Sequence, residues 1–176
     1  MNLRKKAVNG VVWSIIQKWG MEAISFIVFI VLSRLLTPEA FGLVAMALVF
    51  TYFIQIFLDQ GFSSAIVQRE DLEPAHLDTA FWTNILAGAI LTIGGIAAAG
   101  LVAGLFKEPQ LEPIVKWLSL SFILGALSNT QMAILQRQFA FKSLAVRSLV
   151  ATTAGGIVGV SMAIAGFGVW SLVGQH

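Results

Sequence analysis

TAFWTNILAGAILTIGGIAAAGLVAGLF, residues 79–106, runs for 28 residues without one charged side chain. A helix that crosses a bilayer needs about 20 mainly apolar residues, because the hydrocarbon core is about 30 Å thick and each residue rises about 1.5 Å. This stretch is long enough, and it has company. Residues 41–58 supply 18 uncharged positions, 117–136 supply 20 and 148–175 supply 28.

The whole composition agrees with these runs. Of 176 residues, 57% are hydrophobic and 11% charged, whereas soluble domains carry about 25% charge. A water-soluble globule of this size could not cover its surface with so few polar groups, so a soluble enzyme is excluded and lipid is the solvent. Cysteine is absent, which removes a disulfide framework, a thiolate metal site and a thiol nucleophile together.

The first apolar stretch is less simple. Only 11 uncharged residues, 23–33, separate Glu22 from Arg34, too few to cross, so the span has to begin near Val11 and carry Lys18 and Glu22 inside it. That gives five predicted spans, approximately 11–33, 41–58, 79–106, 114–136 and 148–174. The fold class is all-α, a polytopic transmembrane helix bundle over residues 1–176. A secretory signal peptide is rejected, because Lys18 and Glu22 interrupt its apolar region and four more spans follow.

Lys and Arg in the connections set the orientation. Arg4, Lys5, Lys6, Arg69, Arg137, Lys142 and Arg147 fall on one side, against Arg34, Lys107 and Lys116 on the other. The expected N-terminus is therefore cytoplasmic; in a bacterial inner membrane the short turns near Thr37 and Pro109 would then face the periplasm. Thr37-Pro38-Glu39 supplies a cap, a first-turn proline and an acid suited to the free amides at the start of helix two. Glu112-Pro113 plays that part for helix four. The 59–78 connection, with Ile66-Val67 among polar residues, is expected to hold a short interfacial helix or hairpin. His176 would end on the periplasmic side without a charged tail, which suggests a truncated lobe.

Polar residues within spans are the candidate functional groups, since an ionised side chain at the centre of a span costs about 2.5–3.5 kcal/mol on insertion scales. Lys18 and Glu22 are one turn apart, and Ser14 and Ser25 extend their row into a stripe along helix one. Lys18 either snorkels to the headgroups or faces a wet cavity; Glu22, with its shorter stem, is the stronger cavity candidate. Thr51, Gln55 and Asp59 share a face of helix two, with Asp59 at the cytoplasmic mouth or simply opening the loop. Ser128, Asn129, Thr130 and Gln131 follow one another in helix four, as interhelical hydrogen-bonding groups or as a sugar-binding wall.

Gly100-x-x-x-Gly104 and Gly155-x-x-x-Gly159 are expected to let helices approach closely, with Gly166 and Gly168 adding flexibility or tight contact. Trp13, Trp82, Trp117 and Trp170 fall near predicted helix ends, as interfacial anchors do. Glu70, Asp71, Glu73, His76 and Asp78 match no metal-ligand spacing and read as a hydrated loop. Nucleotide-binding and hydrolytic motifs are absent from the sequence, so the expected activity is not enzymatic.

Four segments resemble the polysaccharide and lipopolysaccharide flippases of the multidrug/oligosaccharidyl-lipid/polysaccharide exporter superfamily. They are LSRLLTPEAFGLVAM from Leu32 to Met46, LDTAFWTN from Leu77 to Asn84, LQRQFAFK from Leu135 to Lys142 and GFGVWSL from Gly166 to Leu172. The first, a short turn with Arg34, Thr37-Pro38 and Phe41-Gly42, is the most specific.

The resemblance implies an incomplete N-terminal lobe of a two-lobe transporter that moves undecaprenyl-diphosphate-linked oligosaccharide to the periplasmic leaflet by alternating access. Lys18 would meet the diphosphate, and Glu22, Gln55, Asn129 and Gln131 would bind sugar or couple ions, with Arg34 and Asp59 at a gate or mouth. The expected partners are lipid-linked oligosaccharide, membrane lipid and polysaccharide polymerase or chain-length proteins, without nucleic acid, cofactor or metal. The competing readings are a drug or cation exporter of the same superfamily, which needs a more acidic cavity, and a non-transporting scaffold for polysaccharide-assembly enzymes.

Overall fold

A computed structural model describes residues 3–58 and 74–176, and all of its regular structure is helical. In chain order the helices are α1 (Leu3–Leu35), α2 (Pro38–Leu58), α3 (Pro74–Phe106), α4 (Leu111–Arg137), α5 (Phe141–Ile164) and α6 (Val169–Gln175). Among the described residues five segments are long and apolar enough to cross a membrane: Val8–Leu35, Pro38–Ile56, Asp78–Phe106, Leu111–Arg137 and Phe141–Ile164. The number of spans matches the expectation. The expected hairpin around Ile66-Val67, the acidic stretch Glu70 to Glu73 and the mouth residue Asp59 lie outside the described residues.

Helix boundaries follow local chemistry. Pro38 is the first residue of α2 with Glu39 in its first turn, where proline's missing N–H has no intrahelical partner to lose. Helix α4 begins two residues earlier than Pro113, at Leu111, and Glu112 accepts a 2.6 Å bond from Lys116 one turn on. Proline in the first turn is tolerated because the amides there are free in any case, so Pro113 marks the first turn and not its first residue.

The fifth span departs from its expected limits. Residues 148–174 do not form one helix: α5 starts at Phe141, stops at Ile164, and the chain reverses before α6. Phe167 N–H donates to the Met162 carbonyl and Gly166 N–H to that of Ala163, both at 3.1 Å. This is a Schellman cap. Gly166 and Gly168 take φ of 85° and 56°, where a Cβ would clash with the backbone. A turn built from glycine and phenylalanine leaves no polar break in the sequence, which is why hydropathy runs straight through it.

The chain divides into two compact units, residues 1–38 with 134–175 and residues 39–133 with 176. In the first unit α1 and α5 run parallel, and at each level a glycine of one meets a bulky side chain of the other. A Cβ on Gly10 would come within 2.8 Å of the Phe141 ring, and one on Gly20 within 2.6 Å of Leu149; on α5, Gly156 seats Val28. Gly155 and Gly159 serve α6, lying against the Gln175 carbonyl and against the Ser171 carbonyl and Gln175 side chain. The close packing expected of this glycine pair is thus satisfied within the chain. Gly100 and Gly104 have nothing within 4 Å of an added Cβ, so among the described residues that pair has no packing partner.

In the second unit α3 and α4 are antiparallel. The buried face of α4 is Leu111, Ile114, Val115, Leu118, Ser119, Phe122, Ala126, Thr130 and Ala133, the spacing of one helical stripe. Gly88 of α3 lies against Ala126, and Gly95 against Ser119 and Phe122. Helix α2 buries Ala40, Leu43, Val44, Ala47 and Thr51, again three or four residues apart.

Candidate functional site

Helix α1 is divided lengthwise by what each residue touches. Gly10, Gln17, Gly20 and Val28 meet α5. Ser14, Lys18, Glu22 and Ser25 are all exposed, and at 100° per residue their row is about a quarter turn from the α5-facing row. Phe26, Ile27 and Ile30, each more than 40% exposed, make a third, apolar sector suited to lipid, while Phe29, one turn beyond Ser25, continues the face of the polar row. The polar stripe is therefore not consumed by packing against α5. Lys18 and Glu22 do not approach within ion-pair distance of each other, and among the described residues neither has such a partner.

The other candidate residues divide between the units. Arg34 is exposed in the last turn of α1. Gln55 is exposed on α2, whereas Thr51, one turn earlier on the same face, is buried and bonds the Ala47 carbonyl at 2.9 Å. On α4, Gln131 is exposed, Asn129 half-buried and Thr130 buried. The run from Ser128 to Gln131 therefore splits by face, and the interhelical reading holds for Thr130: its hydroxyl accepts from Asn84 Nδ2 at 3.3 Å.

Several polar contacts lie where sequence reading assigned no role. Gln17 Nε2 donates to Ser148 Oγ at 2.9 Å, bonding α1 to α5. Thr92 Oγ1 donates to the Ser119 carbonyl at 3.2 Å, joining α3 to α4. Lys142 Nζ sits 5.6 Å from the centroid of the Trp13 ring, a cation–π distance. Gln17 carried a usable signal, an amide inside a span next to Lys18; Thr92 carried little, because a hydroxyl can bond its own helix.

These contacts are the helix-joining framework, and the residues left exposed in the spans are the candidate surface. Lys18 and Glu22 supply one cation and one carboxylate on the same face of α1. Gln55, Asn129 and Gln131 supply uncharged amides in the second unit.

A family described as polysaccharide biosynthesis protein matches residues 31–176. The succinoglycan biosynthesis transport protein ExoT of Rhizobium meliloti (strain 1021) is 31% identical over 97% of this chain and 35% of its own length. The lipopolysaccharide biosynthesis protein WzxC of Escherichia coli (strain K12) is 26% identical over 88% of the chain and 32% of its own length. The teichuronic acid biosynthesis protein TuaB of Bacillus subtilis (strain 168) is 30% identical over 81% and 30%, respectively. The chain thus spans about a third of the length of these relatives. No solved structure matches it. Its five membrane-length helices make it a multi-pass membrane protein, and by both the extent of the family match and its likeness to ExoT the chain belongs to the polysaccharide biosynthesis protein family.

Proposed function

We propose that this chain forms part of a transporter that moves a lipid-linked oligosaccharide across the bacterial inner membrane, from the cytoplasmic to the periplasmic leaflet, by alternating access. The observation that carries the reading is the exposed row Ser14, Lys18, Glu22 and Ser25 on a membrane-spanning helix. A carboxylate near the middle of a span is expensive in hydrocarbon, so the row faces water or another polar surface. A lipid-linked sugar diphosphate combines anionic phosphate with many hydroxyls and needs cations and hydrogen-bonding groups on its path. Lys18 is assigned to the phosphate end, near the mouth, and Glu22 to sugar or to a coupling ion one turn deeper. Gln55, Asn129 and Gln131 are the corresponding hydrogen-bonding candidates of the second unit, and Arg34 and Asp59 are assigned to a gate or mouth. The relatives named for succinoglycan transport and lipopolysaccharide biosynthesis support the substrate class. The excess of Lys and Arg in the 1–6 and 137–147 segments supports a cytoplasmic N-terminus.

The test is Glu22→Ala and Lys18→Ala in the intact protein, at matched expression, with surface polysaccharide as the readout. Loss of polysaccharide with either variant is expected; unchanged polysaccharide with both overturns the assignment. A scaffold for assembly enzymes would bury the same row against a partner helix. Because this chain has no cysteine, Glu22→Cys labelling by a water-soluble thiol reagent separates a wet face from a dry one.

A further inference from the structure

At the N-terminal end of α1 a groove of about 460 Å³ opens between α1 and the turn that joins α4 to α5. Its walls are Val11, Ile15, Trp19, Phe139 and Phe141 with Ser14 among them, and among the described residues the one charged group lining it is Lys18. Three observations say what fits it. First, the segments 8–20 and 134–150 at this end contain no acidic residue and hold four Lys and Arg. Lys18 has no carboxylate within ion-pair distance among the described residues, so an anion is the complementary partner.

Second, Phe139 occupies a place that glycine usually fills. Its φ is 55°; Phe139 N–H donates to the Gln136 carbonyl at 3.0 Å and Ala140 N–H to that of Leu135 at 2.9 Å, the two bonds of a Schellman cap whose left-handed residue is normally glycine. A phenylalanine here is strained, and what it gains is a ring placed edge-on to Phe141, 6.1 Å between centroids, with half its surface exposed in the groove wall. Third, the groove belongs to a helix pair long and apolar enough to cross a membrane, and apart from Ser14 and Lys18 its walls are apolar, which suits an acyl chain with a charged head. Its volume lies within the ~300–1,000 Å³ of small-ligand sites, room for one acyl chain and far short of a whole undecaprenyl chain.

We propose that this groove holds one acyl chain of an anionic phospholipid from the surrounding leaflet, with the lipid phosphate at Lys18 and the chain along Trp19, Phe139 and Phe141. The proposal shares Lys18 with the transport reading, and the undecaprenyl phosphate arm of the experiment separates the two; for the rest it requires that α1 and α5 cross the membrane. Lys142, the cation on the neighbouring side, is seated over Trp13, and Lys18 lines the groove itself.

The experiment is native mass spectrometry of the intact protein in non-ionic detergent, titrated separately with phosphatidylglycerol and phosphatidylcholine of identical chains, and in a third arm with undecaprenyl phosphate. Retention of phosphatidylglycerol at least about fivefold above phosphatidylcholine is expected, the scale of one lysine near an anionic headgroup. Lys18→Met should reduce that ratio to about one and Lys18→Arg should keep it, which separates lost charge from a disturbed fold. Phe139→Ala should weaken both phospholipids equally. Equal retention of the two phospholipids by the unmodified protein, or an unchanged ratio in Lys18→Met, overturns the proposal. So does displacement of phosphatidylglycerol by an equal concentration of undecaprenyl phosphate, which would give the groove to the transported lipid.

Discussion

Gln17 Nε2 and Ser148 Oγ lie 2.9 Å apart across the α1–α5 contact, 131 residues apart in the chain. The bond sits between the levels at which Gly10 meets Phe141 and Gly20 meets Leu149, so it fixes the register of two parallel helices that sliding contacts alone would hold loosely. It also leaves Lys18, the next residue, turned towards the neighbouring face, exposed.

Removing either partner should therefore cost little energy but act on one interface. Gln17→Leu and Ser148→Ala are each expected to destabilise by about 0.6 kcal/mol, and at most about 1.7, the range measured for hydrogen bonds between membrane helices. A double-mutant cycle by denaturant unfolding in mixed micelles should return a coupling energy of that size. Additive single effects would show that the bond contributes nothing.

Glycines of the same sequence type should respond in opposite ways. Gly20→Val puts branched carbon where Leu149 already sits, and Gly156→Val does so against Val28; overpacking of this kind costs about 1–3 kcal/mol. Gly100→Ala and Gly104→Ala meet open space and should be neutral or stabilising by about 0.4–1 kcal/mol through helix propensity and unfolded-state entropy. Thermal melts in detergent distinguish the two sets.

The left-handed cap positions make a third contrast. Gly166→Ala forces a Cβ into φ 85° and should destabilise by about 1–2 kcal/mol. Lys107 holds the same position at the end of α3, with φ 57° and its N–H bonded to Gly104 O at 3.2 Å, so Lys107→Gly should raise stability by up to about 1 kcal/mol. Opposite shifts in midpoint denaturant concentration, at constant slope, the larger for Gly166→Ala, are the expected signature.

Accessibility supplies a fourth test. Single cysteines replacing Gln131 and Thr130 differ by one residue but by a full change of environment, exposed against 4% exposed. The Gln131→Cys thiol should modify at least about tenfold faster with a membrane-permeant maleimide than that of Thr130→Cys, since thiolate access governs the rate. Comparable rates would contradict the face assignment on α4.

The polar groups of the spans show how far residue type alone could be read. Lys18 and Glu22 stand out because ions in hydrocarbon are costly wherever the helix is placed, and the structure leaves both exposed. Thr130 and Gln131 were indistinguishable in sequence, since an uncharged hydrogen-bonding group is worth little in lipid and serves equally well at an interface or in a wet cleft. Asn84, within the LDTAFWTN segment, became an interhelical donor only because α4 brings Thr130 to it. Likewise Gly155 and Gly156 adjoin in sequence but face different neighbours, one α6 and the other Val28 of α1.

The amino-acid sequence by itself determined that this chain is a set of membrane-length helices, five in number, with charges on α1. Bilayer thickness and the cost of burying a charge act on each segment independently of its neighbours. Tertiary structure decided which side of each helix is used up in packing, where the last apolar run reverses, and which polar groups stay exposed. Those outcomes depend on the register between helices, and register is set by steric fit between glycines and side chains as many as 131 residues away, a property that no single span contains.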